Sequence, residues 1–243
     1  MNIEVIHIAE TDSTNRYCRD LARQRQQDIV VWTDYQSAGR GCGTNTWESE
    51  PDKNLLFSVL LHPKEVAAAD QFILSMANAL ALRDTLASYV DDVKIKWPND
   101  IYWKDSKICG TLIETTLQGQ HIGNCIIGTG LNINQTRFLS DAPNPVSLRQ
   151  ILDHEVDRQE VMHAVLDNIG KYMAMVETAD WEGVRTRYRR HLYRLLETWP
   201  YRFTDGHEES CTLVNVSDDG HLELLTDNQE VCRLGFKEVQ FVI

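Results

Sequence analysis

The sequence predicts an α+β fold, a mixed β-sheet with helices, followed by a small β-rich unit. Three observations carry this expectation. Between residues 3 and 133, short apolar runs with strand-like alternation are punctuated by Gly, Pro, Asn and Asp. Two stretches, 72–86 and 157–196, instead space their apolar residues as helices do. After Trp199-Pro200 only short β-like runs remain, broken by Asp-Gly and Asp-Asn turns. The expected units are residues 1–196 and 197–243. At 243 residues and 42% hydrophobic, the chain can bury a full core without staples.

In order, Ile3–Ile8 reads as a first strand, and Asp12 or Ser13 is placed to cap a helix through Tyr17 and Leu21. Ile29–Thr33 is a β-branched strand leading into the glycine-bearing loop Gly39–Thr46, and Leu55–Leu61 is a buried strand. Pro63 opens a helix carrying Phe72, Leu74, Met76, Leu80, Leu82 and Leu86. Val93–Trp97 is strand-like, Pro98 stops it and Ile101–Trp103 resumes. The turn Asp105-Ser106-Lys107 then leads into a second arm, Ile108–Thr115. Ile122–Ile127 ends in Gly128-Thr-Gly130.

Ser147 with Gln150 and Asp157 with Glu160 have capping-box spacing, the second pair opening an amphipathic run through Met162, Val165, Ile169, Met173 and Val176. A last helix, Trp181–Leu196, is rich in arginine and reads as a solvated face. The tail strands are Tyr201–Phe203, Cys211–Val216, Leu222–Leu225 and Val239–Val242, arranged as a small barrel-like unit.

A net charge of -12 argues against nucleic acid, whose binding depends on neutralising phosphates. The sequence offers neither a signal peptide nor a membrane-spanning run, so a cytoplasmic protein with no membrane partner is expected. The six cysteines form no CxxC pair and read as reduced thiols. The eight histidines lack metal-ligand spacing, which points away from a structural metal.

Four constellations could carry chemistry. Thr11-Asp-Ser-Thr-Asn15 starts a helix and by itself reads as an N-cap. Gln36-Ser-Ala-Gly-Arg-Gly41 sets two glycines around one arginine, letting backbone approach an anion that a guanidinium clamps. Lys96-Trp-Pro-Asn-Asp100, with Lys107 and Gly110, brings a polar pair and a cation to one sheet edge. Gly128-Thr-Gly-Leu-Asn132 lacks a third glycine and a following helix. A dinucleotide fingerprint is therefore rejected in favour of strand with close backbone approach.

In this order, over about residues 10–135, the motifs resemble the biotin–protein ligase family, and Lys-Trp-Pro-Asn-Asp followed by Lys-x-x-Gly is the most specific part. The resemblance implies a class II synthetase-like catalytic domain and an SH3-like C-terminal barrel. It implies an ATP-dependent ligase that makes biotinyl-5′-adenylate and passes biotin to a lysine of a biotin carboxyl carrier domain, with ATP and biotin as substrates and Mg²⁺ on the nucleotide. On it, Ser13, Thr14, Asn15 and Gln36 would hold the biotin ring system, with Gly110 and Gly128 leaving the ligand space. Arg40, Gly41 and Cys42 would fold over biotin and the adenylate phosphate, and Lys107, with Arg40, would be catalytic. Trp47, Asn99 and Asn132 would line the nucleotide side, and Asp100 would place Mg²⁺ or orient the acceptor lysine.

Many members have a second basic residue in the loop after Gly-Arg-Gly, where this chain has Cys42-Gly43-Thr44-Asn45. The expectation is a looser grip on the adenylate, or use of Asn45 and backbone N–H groups instead. The position of Ser13-Thr-Asn predicts a ligase without a DNA-binding domain, and the resemblance leaves a homodimer open. Two alternatives stand beside this reading: a lipoate or octanoate ligase, which shares the fold and a central lysine, and a non-catalytic binding module.

Overall fold

The computed structural model describes residues 3–140 and 143–243. The elements run β1 (Glu4–Thr11), α1 (Thr14–Leu21), β2 (Ile29–Gln36), β3 (Leu55–Leu61), α2 (Phe72–Leu86), β4 (Val93–Lys96), β5 (Asp100–Trp103), β6 (Ser106–Gln118) and β7 (His121–Leu131). Then follow α3 (Leu148–Leu152), α4 (Arg158–Glu177), α5 (Trp181–Arg190), β8 (Thr198–Phe203), β9 (Glu208–Val216), β10 (Leu222–Leu225), β11 (Val231–Leu234) and β12 (Val239–Phe241). No helix among the described residues is long and apolar enough to cross a membrane.

The first seven strands form one mixed sheet in the order β1-β2-β3-β7-β6-β5-β4, with β1 and β2 parallel and the other pairs antiparallel. Alternation along β7 sends Ile127 to the main core with α2, α4 and α5, and Ile126 to a smaller cluster with Cys18 of α1. Helices therefore cover one face, while α1 covers part of the other and leaves the rest open to a site. β3 is buried along its whole length, as a strand that is apolar but for Ser58 requires when both faces are covered.

The tail is a five-stranded antiparallel sheet, β11-β10-β9-β8-β12. Its Cys211, Leu213, Leu222 and Leu224 join the main core cluster, so the two sheets share one apolar interior. Trp97 Nε1 donates to Gly220 O at 2.8 Å, and Leu196 N–H donates to Leu213 O at 2.8 Å.

Several expectations are corrected. The helix assigned to Pro63 begins at Phe72, after a 3₁₀ turn over Ala68–Asp70. Gly128-Thr-Gly130 does not end its strand, because both glycines remain paired on either side in β7. α5 stops at Arg190, and Arg194 and Leu196 take left-handed φ values of 61° and 60°. Its arginines are not simply solvated: Arg189 donates to Val216 O at 3.0 Å and to Asp218 at 2.6 Å, and Arg185 pairs with Asp218. Beyond α5, Arg194 is buried and donates to Val242 O at 2.9 Å, so these residues stitch the tail to the body. A fifth tail strand, β11, adds to the four expected; unlike β10 of the same length, it has no buried residue to mark it in the sequence. Ser147 and Gln150 form the capping box, whereas Asp157 caps through the N–H of Gln159 without involving Glu160.

Candidate active site

On the open face beside α1 lies a cleft of about 1040 Å³. Its floor is β6 and β7, where Gly110 pairs with Gly130 and Leu112 with Gly128. The glycines are needed there. A Cβ on Gly130 would lie 2.2 Å from Trp47 Cε2, one on Gly110 2.6 Å from Trp47 Cζ3, and one on Gly128 1.9 Å from Asn15 Oδ1. The indole of Trp47 thus lies against bare backbone, with its Nε1 buried and unpartnered.

One end of the cleft is neutral and densely hydrogen-bonded. Ser13, Thr14 and Asn15 are buried at the start of α1. Neither Asp12 nor Ser13 caps this helix by side chain, contrary to expectation. Gln36 Oε1 does so from across the parallel strand pair, accepting from Thr14 N–H at 2.8 Å and Thr14 Oγ1 at 3.0 Å. Ser58 Oγ, on β3, lies 2.7 Å from Thr14 Oγ1 and 2.6 Å from Asn15 Oδ1, so its single proton serves one at a time.

Asn15 Nδ2 donates to Glu114 Oε2 at 2.9 Å, Arg19 donates to Glu114 Oε1 at 2.6 Å, and Arg40 NH1 stands 3.7 Å from the same oxygen. Glu114 and Ser58 are organising residues that sequence reasoning missed. The signal for Glu114 was the i, i+2 alternation Gly110, Leu112, Glu114, legible only once the hairpin register is known.

The other end is charged. Lys107 Nζ is 2.6 Å from Asp100 Oδ2, each side chain about three-quarters covered. Its backbone is pinned by Lys107 N–H to Asn144 O at 2.8 Å and Val146 N–H to Lys107 O at 2.9 Å. The turn Trp97–Asn99 that precedes Asp100 is clamped by Tyr188 Oη donating to Pro98 O at 2.7 Å. Lys96 Nζ sits 4.7 Å from the Phe241 ring centre and 5.2 Å from that of Tyr102. Burial lowers the pKa of its ammonium below the ordinary lysine value; Asp100 opposes this, and Lys107 and Arg194 reinforce it. Asn132, buried at the end of the floor, donates to Val146 O at 3.1 Å and leaves its Oδ1 unpartnered.

The loop after Arg40 closes on itself: Gly41 N–H donates to Asn45 O at 2.8 Å and Asn45 N–H to Cys42 O at 3.3 Å. Those two N–H groups are therefore spent within the loop, which removes them from the expected substitute for a second arginine. Glu48 holds the neighbouring segment, accepting from Leu139 N–H at 2.9 Å and Ser140 N–H at 2.7 Å. Burial works to raise its pKa, but these bonds outweigh burial and leave it below its usual value.

Every residue to which the resemblance assigned a part lines this cleft: Ser13, Thr14, Asn15, Gln36, Arg40, Gly41, Cys42, Asn45, Trp47, Asn99, Asp100, Lys107, Gly110, Gly128 and Asn132. The tail adds Phe236, Lys237, Gln240 and Phe241, which nothing in their local sequence announced.

Residues 8–132 match the biotin/lipoate A/B protein ligase family, over half of the chain. The chain belongs to this family. Its relatives include a biotin--[acetyl-CoA-carboxylase] ligase of Paracoccus denitrificans, 30% identical over 87% of this chain and 90% of the relative. The bifunctional ligase/repressor BirA of Salmonella typhimurium is 31% identical over 59% of this chain but only 44% of its own length. Among solved structures, a mutant biotin protein ligase from Aquifex aeolicus in complex with biotin superimposes with a TM-score of 0.79 at 25% identity, covering 98% of each chain. The family's ligase fold thus extends over both sheets of this member, the tail included.

Proposed function

We propose that this family member is a biotin–protein ligase that activates biotin with ATP and transfers it to a lysine of a biotin carboxyl carrier domain. The observation that carries the reading is the polarity of the cleft: a neutral, buried hydrogen-bonding cluster at one end, a lysine–carboxylate pair at the other, and a glycine floor between them. A ureido ring fits the first end, since its N–H and C=O groups match hydroxyls and amides and an analogue without them would leave those groups unpaired. The similarity to the Paracoccus ligase along nearly its full length supports the same substrates.

In the first step the biotin carboxylate attacks the α-phosphorus of ATP, an acyl–phosphate bond forms, and the bond to the bridging oxygen breaks to release pyrophosphate. Lys107 stabilises the negative charge that grows on the phosphate oxygens, and Arg40 the loop-side charge. In the second step the neutral ε-amine of the acceptor lysine attacks the acyl carbon, AMP leaves and the amine loses a proton. Asp100, paired with Lys107 in the structure, would be released when the phosphate takes its place and would then hold the Mg²⁺ of the nucleotide or orient that amine.

Mg²⁺ fits as an ion carried on ATP. Among the described residues no group of three or more His, Cys, Asp or Glu could hold a metal unaided, and a phosphate-bound Mg²⁺ needs only one or two protein carboxylates, here Asp100. It would supply neutralisation of the phosphate charge. We place the protein in the cytoplasm; no helix among the described residues is long and apolar enough to cross a membrane.

The test is mass spectrometry of a carrier domain incubated with the protein, biotin, ATP and Mg²⁺, with lipoate in a parallel arm. Addition of one biotinyl group is expected. Modification by lipoate alone, or by neither, overturns the proposal.

A further inference from the structure

The loop Cys42–Asn45 has no arginine of its own, and the structure brings another cation to it from the far end of the chain. Lys237 lies in the turn between β11 and β12, more than 190 residues away in sequence. Its Nζ stands 2.9 Å from where a Cβ on Gly43 would be, which puts the ammonium against the backbone of the loop. The turn is held rigidly, with Gly235 N–H donating to Glu238 Oε2 at 2.6 Å and Glu238 N–H to Gly235 O at 3.1 Å. Lys237 itself takes a left-handed φ of 71°.

Among the described residues Lys237 has no carboxylate partner, although the chain carries 36 acidic side chains against 24 basic ones. An unpaired ammonium lining a cleft is poised for an anion rather than for structure. The charged residues lining the cleft are Arg40, Lys96, Lys107 and Lys237 against Glu48 and Asp100. Of these acids, Glu48 is engaged by backbone N–H groups and Asp100 by Lys107.

We infer that Lys237 is a phosphate-binding residue of this site: the tail sheet delivers the second cation that the loop lacks, directed at the phosphate chain of ATP and at the adenylate. This rests on the ligase reading and assigns the tail a part in it. Such a contact is made equally to bound substrate and to the transition state, so it acts on KM rather than on kcat.

The experiment is pyrophosphate exchange with the full-length protein, comparing wild type, Lys237→Met and Lys237→Arg, with ATP and biotin titrated separately. Lys237→Met is expected to raise the KM for ATP about tenfold, to leave the KM for biotin and kcat within about twofold, and to speed adenylate release. Lys237→Arg should retain wild-type values, and Cys42→Arg in the Lys237→Met background should restore ATP affinity. An unchanged ATP KM in Lys237→Met, or equal losses toward ATP and biotin with a lowered melting temperature, overturns the inference. Absence of exchange in the wild type would instead remove the ligase reading itself.

Discussion

The two ends of the cleft are built on different principles. At the neutral end, Thr14, Asn15, Gln36 and Ser58 are tied to one another within about 3 Å, and they come from helix α1 and from strands β2 and β3 of a single sheet. At the charged end, Lys107 has one carboxylate partner, Lys96 rests on aromatic rings, and Lys237 arrives from a second sheet. The difference teaches how one site serves two tasks. Recognition of an uncharged ring needs a satisfied network that loses bonds when the wrong molecule enters. Handling phosphate needs cations that are free or can be freed: Lys237 has no carboxylate partner among the described residues, and Lys107 has only Asp100 to give up.

The charged end should break most severely. Lys107→Ala is expected to cut biotin-dependent pyrophosphate release roughly 100- to 1,000-fold, while the melting temperature moves by no more than about 4 °C. Release at the wild-type rate would take Lys107 out of the chemistry.

The neutral end is attacked through its floor. In Gly128→Ala the new methyl group would meet Asn15 Oδ1 at 1.9 Å, so Asn15 must abandon Ser58 and Glu114. A loss of biotin affinity of about 10- to 100-fold by calorimetry follows from leaving one buried polar group unpaired. If affinity holds, biotin does not lie on this part of the floor.

Glu114→Gln probes the hub between the ends, keeping an acceptor for Asn15 but removing the charge that holds Arg19 and Arg40. These pairs are partly exposed, so about fivefold or less in biotin KM is expected. A loss as large as that of Lys107→Ala would show that the two ends are coupled through Arg40.

The smallest effect is on stability, at the strap linking the large sheet to the tail. Ile95 N–H donates to His191 O at 2.9 Å. Burial, reinforced by Arg83, Lys94 and Arg190 and opposed by Asp84, holds His191 below the ordinary histidine value of 6.5. As pH falls through 6.5 the unfolded chain takes up a proton that the folded protein binds only at lower pH. Stability therefore declines across that window and levels off below the folded value. Between about pH 7 and about pH 5, the melting temperature of His191→Gln should fall less steeply than that of the wild type. Parallel curves would place the sensitivity elsewhere.

Much of this was legible in the sequence, for reasons that are local. Strand alternation and the largely apolar run Leu55–Leu61 revealed the large sheet, because side-chain parity is set by the backbone itself. The motifs at 13–15, 36–41, 96–100, 107–110 and 128–132 named the cleft residues, since each is a short string whose chemistry survives without its neighbours. Element ends were read less well. Pro63 is a good helix opener, yet the chain spends Pro63–Gln71 in turns so that Ala67 and Ala68 can meet the β6–β7 hairpin at Gln120 and His121.

What the sequence by itself determined was the parts list: the mixed sheet, the helices that back it, the family motifs and the departure at Cys42–Asn45. What only the tertiary structure decided was which parts meet. The cap on α1 comes from Gln36, the brace on Asn15 from Glu114, the partner of Lys107 from Asp100, and the cation beside Gly43 from Lys237. The physical reason is common to all four. Contacts between residues distant along the chain depend on strand register and on how two sheets share one core, and no local pattern encodes either.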